Sequence, residues 1–185
     1  MQHGSPQRPR RTNGSPSTGL SAPARAGGGS AVHRTGRASR ALHSPWTCAP
    51  TDHSDFSDFM EPLEHERNHS FLVCRRSPPA CDEEIAGVIN IAQVVIGAFC
   101  SGCLGYYVFA DYERQGLMRA GLAQAREHAF NTLGLHRLEA NIPPGNVASI
   151  ALFRSCGVSW EGFSPRYLRI QGEWRDHERW ACLAD

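Results

Sequence analysis

The chain of 185 residues contains no lysine. That excludes chemistry built on a lysine ammonium: the phosphate-gripping lysine of a Walker-A loop, a Schiff-base lysine and a pyridoxal anchor. Acid is missing from residues 1–40, which carry seven arginines. Residues 41–185 hold the other 12 arginines and all 18 acids, a net charge of 12 − 18 = −6. A body of that sign binds a phosphate backbone poorly, so a nucleic-acid partner is not expected unless the basic tail supplies it. No apolar run approaches the roughly 18 residues of a membrane span, and no membrane partner is expected. The richest stretch, residues 85–99, is broken by Asn90 and Gln93 and reads as a strand. The N-terminus lacks the apolar core of a secretory signal, and seven cysteines is an odd number. Reduced thiols in a cytoplasmic protein are the expectation. Cys100 and Cys103 form a lone CxxC without a second pair, and strand positions three apart face opposite sides. No metal site is expected there.

Residues 1–30 are rich in Gly, Ser, Pro and Arg, with Gly27-Gly28-Gly29-Ser30 as the extreme. They show no hydrophobic period and cannot bury enough surface to offset ordering entropy. They read as a disordered basic tail or a spurious extension ahead of a domain over residues 31–185. A weak helix is predicted over residues 31–42, ended by Ser44-Pro45-Trp46. A second, capped by Ser54 or Asp55, carries Phe56, Phe59, Met60 and Leu63 on one face. Strands are predicted over residues 69–75, 84–98 and 103–110, the last apolar on both faces as a covered central strand should be. The period then changes to that of a helix with Met118, Leu122, Ala125, Ala129 and Leu133 inward and Gly134 as its stop. A strand over residues 135–142, a helix over residues 146–155 with Ile150 and Phe153 inward, and a hairpin turning at Gln171-Gly172 complete a mixed α/β sheet.

The junction from Val108 to Arg119 runs from strand to helix. A helix N-terminus presents unpaired N–H groups and a positive dipole end, Gly116 permits close backbone approach, and Arg114 and Arg119 add charge. The stretch suits a diphosphate, although one glycine also serves simply to make a turn.

Glu113-Arg114-Gln115-Gly116-Leu117-Met118 resembles the pyrophosphate loop of the GNAT superfamily, and Gly-Leu-Met is similar to its Rim-type ribosomal-protein-alanine N-acetyltransferases. Glu113 and Met118 depart from the general pattern. The run from Leu138 through Asn146-x-x-Ser149 to Gly157, and the ending from Glu161 to Asp176-His177, resemble the same family in order and spacing. The fold so implied is a mixed, mostly antiparallel twisted sheet flanked by helices, here with the usual first strand apparently missing, since residues 1–30 offer no credible strand.

The resemblance implies transfer of an acetyl group from acetyl-CoA to an amine in a ternary complex. Its acceptor would be the N-terminal α-amine of a protein such as a ribosomal protein; a small amine or antibiotic, or a non-catalytic CoA-binding relic, are the alternatives. It implies cofactor contacts from Tyr106, Tyr107, Val108, Arg114, Gln115, Gly116, Leu117, Met118, Arg119, Asn146 and Ser149. Glu139 takes the position of a glutamate base in some relatives, with an ion pair to Arg137 as its plain alternative. Ser149 takes that of an acid for the leaving thiolate, because Phe153 stands where other members have tyrosine. Cys103 stands where some relatives carry a glutamate. Asp176 and His177 are expected to orient substrate or fix the hairpin.

Overall fold

The computed structural model describes residues 17–21, 39–44, 46, 68–76 and 83–185. Seven strands form one sheet in the order β1-β2-β3-β4-β5-β7-β6. They are β1 (Ser17–Ser21), β2 (His69–Arg76), β3 (Glu83–Val95), β4 (Ser101–Val108), β5 (Arg137–Ile142), β6 (Ser159–Ile170) and β7 (Glu173–Leu183). A single helical turn, α1 (Arg40–His43), precedes β2; α2 (Leu117–Asn131) follows β4, and α3 (Val147–Ser155) follows β5. The helix expected around Ser54 and Asp55 lies outside the described residues, as does most of the one expected over residues 31–42.

The expectation of a missing first strand is corrected. β1 pairs antiparallel with β2 from Ser17↔Arg76 to Ser21↔Leu72. Its sequence, Ser-Thr-Gly-Leu-Ser, has little strand propensity and no usable alternation. What holds it is backbone pairing with a neighbour more than 50 residues on, plus a bond from Gln124 Nε2 on α2 to the Thr18 carbonyl (3.2 Å). Tertiary context overrides local preference for strands more readily than for helices.

Elsewhere the periods hold. Leu117, Met118, Gly121, Leu122, Ala125 and Ala129 make the buried stripe of α2. Each large member contributes roughly 1.5–3 kcal/mol by leaving water. They pack with Ile150 and Phe153 of α3 on Val73, Ile89, Ile91, Leu104, Leu138, Ala140, Ile142 and Trp180 of the sheet. Alternation turns Val88 and Tyr107 to the other face, where they join Phe109 in a smaller cluster. Gly134, at φ +65°, ends α2 in the left-handed region that favours glycine.

Candidate active site

The sheet splits between its fourth and fifth strands. β4 and β5 are parallel neighbours only through Ser101↔Arg137, Gly102↔Leu138 and Cys103↔Glu139. Beyond that point β4 continues beside β3 while β5 pairs with β7 out to Ile142↔Glu178. The far half of β4 therefore has one unpaired edge. Phe109 N–H bonds Ala86 O (2.9 Å), and the β3–β4 register is unshifted from Cys103 to Val108. Strand alternation then turns the backbone of Tyr107 toward β3 and that of Tyr106 and Val108 into the fork. Their N–H groups face the opening.

A cleft of about 410 Å³ occupies this opening. Its walls include Tyr106, Tyr107, Val108, Arg114, Gln115, Gly116, Leu117, Met118, Arg119, Asn146 and Ser149, so every residue expected to touch the cofactor meets in one cavity. Gly116 is the N-cap of α2 at φ +76°, with no side chain capping the first turn. The leading N–H groups of α2 thus remain for a ligand anion. Arg114 also stands in the left-handed region (φ +56°), which bends the loop around the helix end. Gln115 braces it by donating to Asp111 O (2.8 Å) and accepting from Arg75 (3.2 Å). Glu113 lines the cleft without capping α2. The opposite wall is α3, where Asn146 Oδ1 accepts from Ser149 N–H (3.1 Å). Backbone donors on one strand edge, a bare helix N-terminus and two arginines fit an extended chain that ends in a diphosphate. That is the form of the pantetheine arm and diphosphate of acetyl-CoA.

Two wall residues had no signal in the sequence. His43 Nε2–H donates to Val108 O (2.7 Å), and its ring meets Tyr107 edge-on. Burial holds this imidazole below its ordinary pKa, so it is neutral at pH 7. Trp46 lies against the turn before α3, where a Cβ on Gly145 would come 2.8 Å from its ring. Both belong to a segment whose only readable feature was the helix stop at Pro45. Ser39 ties that segment down by accepting from Ala110 N–H (2.9 Å).

Glu139 does not line the cleft. It sits at the root of the fork, on the sheet face away from α2 and α3. Both its oxygens are engaged, one by Arg137 Nε and the other by Arg179 Nη2, each at 2.7 Å. Arg137 also grips Glu161 with its two terminal nitrogens. Burial tends to raise the Glu139 pKa, but the two guanidinium hydrogen bonds outweigh it and hold the carboxyl below its ordinary value. A base for an amine needs the reverse shift. Cys103, its neighbour across the fork, accepts from Asn141 Nδ2 (3.5 Å), and burial raises the thiol's pKa. Asp176 Oδ1 accepts from Arg166 N–H (2.7 Å), and the buried His177 bonds Arg175 O through Nδ1 (3.0 Å); both brace the hairpin. Cys100 donates to Gly134 O (3.2 Å), and no cluster of metal-ligating side chains occurs among the described residues.

The depressed Glu139 pKa fixes a sign. Its ion pairs stabilise the fold above the unfolded carboxyl value and fade as pH falls through the folded one. Glu139→Gln is therefore expected to lower Tm at pH 7, with the gap to wild type closing as pH falls below the ordinary carboxyl range. The pH–rate profile should keep its shape near neutrality. Thermal melts from pH 3 to 8 and steady-state rates check both, and loss of a titrating limb in the rate would restore Glu139 as a base.

No helix among the described residues is long and apolar enough to cross a membrane. The [ribosomal protein uS5]-alanine N-acetyltransferase of Escherichia coli (strain K12) is 38% identical over 113 residues, covering 61% of this chain and 57% of the relative. The chain thus spans little more than half the length of that relative. A solved structure of Mycobacterium smegmatis RimJ in complex with CoA-disulfide superposes with a TM-score of 0.78 at 29% identity, covering 90% of this chain and 82% of the other. Vibrio cholerae spermidine N-acetyltransferase in complex with CoA and spermine shares the fold at a TM-score of 0.69 and 17% identity, covering 90% of this chain and 95% of the other. Residues 31–159 match the family model for the acetyltransferase (GNAT) domain, most of the chain, so the protein belongs to the GNAT acetyltransferases and its donor is acetyl-CoA.

Proposed function

We propose that the protein acetylates the N-terminal α-amine of a protein, of the kind that ribosomal proteins carry. The observation that carries this reading is the charge at the root of the fork. Arg137, Glu139, Arg179 and Glu161 form a connected set of two cations and two anions. A polyamine, with several cationic nitrogens, is best held by uncompensated acid. This set has none to spare, whereas a peptide N-terminus presents a single amine and neutral amide groups. The likeness to an enzyme named for ribosomal-protein alanine supports the same acceptor.

In this reading Gly116, Leu117, Met118 and Arg119 bind the diphosphate through the α2 N-terminus, helped by Arg114 and Gln115. The N–H groups of Tyr106 and Val108 bind along the fork, and one of them faces the thioester oxygen, where charge develops. Asn146 sets the start of α3, which places Ser149 on the cleft wall to hydrogen-bond the departing sulfur. The α-amine has an ordinary pKa of about 8, so water can take its proton. Glu139 then serves to hold Arg137 and Arg179 in place.

The test uses purified protein, labelled acetyl-CoA and three acceptors: a ribosomal-protein N-terminal peptide, spermidine and buffer alone. Label is expected in the peptide. Label in spermidine alone would move the assignment to small amines. CoA binding without transfer to either would mark a non-catalytic protein.

A further inference from the structure

The side chain of Tyr106 has no part in the role given to its backbone, yet it is a confined polar group on the cleft wall. It turns its ring toward α3 and stacks on Phe153, with centroids 5.7 Å apart and planes 23° from parallel. Phe153 is 1% exposed and carries no proton. The Tyr106 hydroxyl is buried without a closed hydrogen bond. The polar group beside it is the Ser149 hydroxyl, one helical turn before Phe153. Burial pushes the phenol up to about 12, with Ser149 acting in the opposite sense. Such a phenol keeps its proton throughout the neutral range. It is a standing O–H donor rather than a proton source. A buried donor of this kind is costly to leave unmade, and the hydroxyl next to it is free to rotate.

We propose that Tyr106 is a positioning residue: its hydroxyl donates to Ser149 Oγ and so fixes the Ser149 O–H toward the sulfur that leaves. This inference rests on the acetyl transfer proposed above. In that step the acceptor nitrogen bonds the thioester carbonyl carbon, and the C–S bond breaks with its electron pair on sulfur. The nitrogen loses one proton to water. The sulfur takes the Ser149 hydroxyl proton, and water returns one to Ser149. Tyr106 keeps its own proton from start to finish. With the Ser149 Oγ already accepting from Tyr106, its hydrogen has no competing inward orientation, and its acidity rises.

Tyr106→Phe removes only the hydroxyl and preserves the stack on Phe153. It is expected to lower kcat about tenfold while leaving the KM for acetyl-CoA within about twofold. Ser149→Ala should fall at least as far. The double variant should be no slower than Ser149→Ala alone, because one hydroxyl acts through the other. A second readout needs no acceptor: the thiolate absorbance of bound CoA titrated against pH. The wild-type complex should ionise about one pH unit below the Tyr106→Phe complex, a tenfold difference in proton affinity. A wild-type kcat in Tyr106→Phe, or losses that multiply in the double variant, would overturn the proposal while leaving acetyl transfer intact. Absence of transfer by the wild type would overturn the transfer reading instead. Identical thiol titrations in wild type and Tyr106→Phe would then overturn this one as well.

Discussion

Gly116→Asp is expected to cost the protein its donor without costing it its fold. Gly116 caps α2 at φ +76°, and a Cβ added there meets nothing within 4 Å. Asp and Asn tolerate the left-handed region better than other residues, and both are good helix N-caps. The two variants should therefore melt within a few degrees of wild type. They differ in one charge. Asp places a negative charge where the diphosphate must sit, and at about 5 Å with an effective dielectric of 20 each like-charge pair costs ~3 kcal/mol before salt screening. The affinity for acetyl-CoA should fall roughly thirtyfold or more in Gly116→Asp and about threefold or less in Gly116→Asn. Calorimetric titration of both variants checks this. Equal losses would mean that the backbone conformation alone matters and that the anion lies elsewhere.

Gly87→Ala should have the opposite character, with a large loss of stability from one carbon. Gly87 lies on β3 opposite Val108. A Cβ there would stand 2.5 Å from the Tyr107 carbonyl, 3.0 Å from Met118 Sδ and 3.2 Å from Val108 Cα. Met118 is flexible and can yield; the Tyr107 carbonyl belongs to the strand ladder and cannot yield alone. Overpacking against backbone costs about 3 kcal/mol, which lowers Tm by roughly 10 °C in a chain of this length. Because the displaced segment of β4 is the one that lines the cleft, acetyl-CoA affinity should fall as well. A melt at the wild-type temperature would show that β3 and β4 can separate at Gly87 without penalty, against the packing described here.

The two glycines show what could and could not be read from the sequence. Gly116 was legible because its meaning is local: a strand end, a glycine and a helix period follow one another within a dozen residues. The Asn146 cap and the hairpin at Gln171-Gly172 were legible for the same reason. Gly87 carried no signal, since its constraint comes from Tyr107 and Met118, 20 and more positions away. β1 was missed because its residues have no pattern apart from the partner strand that holds them. Glu139 was placed correctly on a strand that borders the site. Its ion pair with Arg137 was readable at i, i+2, but the second clamp comes from Arg179, 40 positions on, through the β5–β7 pairing. The second clamp separates a candidate base from an organiser of charge. His43 and Trp46 join the cleft wall by contacts that no spacing rule anticipates, such as the bond from His43 to Val108 across 65 positions.

In the proposed function, a cleft at the β4–β5 fork, built from the α2 N-terminus and the α3 wall, passes acetyl from acetyl-CoA to a peptide α-amine. The most direct test is to locate the acetyl group by tandem mass spectrometry on a peptide that offers both a free α-amine and an internal lysine. The same peptide with its α-amine blocked runs alongside. Acetyl is expected on the N-terminal residue of the first peptide and none on the second. Acetyl on the lysine of both peptides would contradict the proposed function.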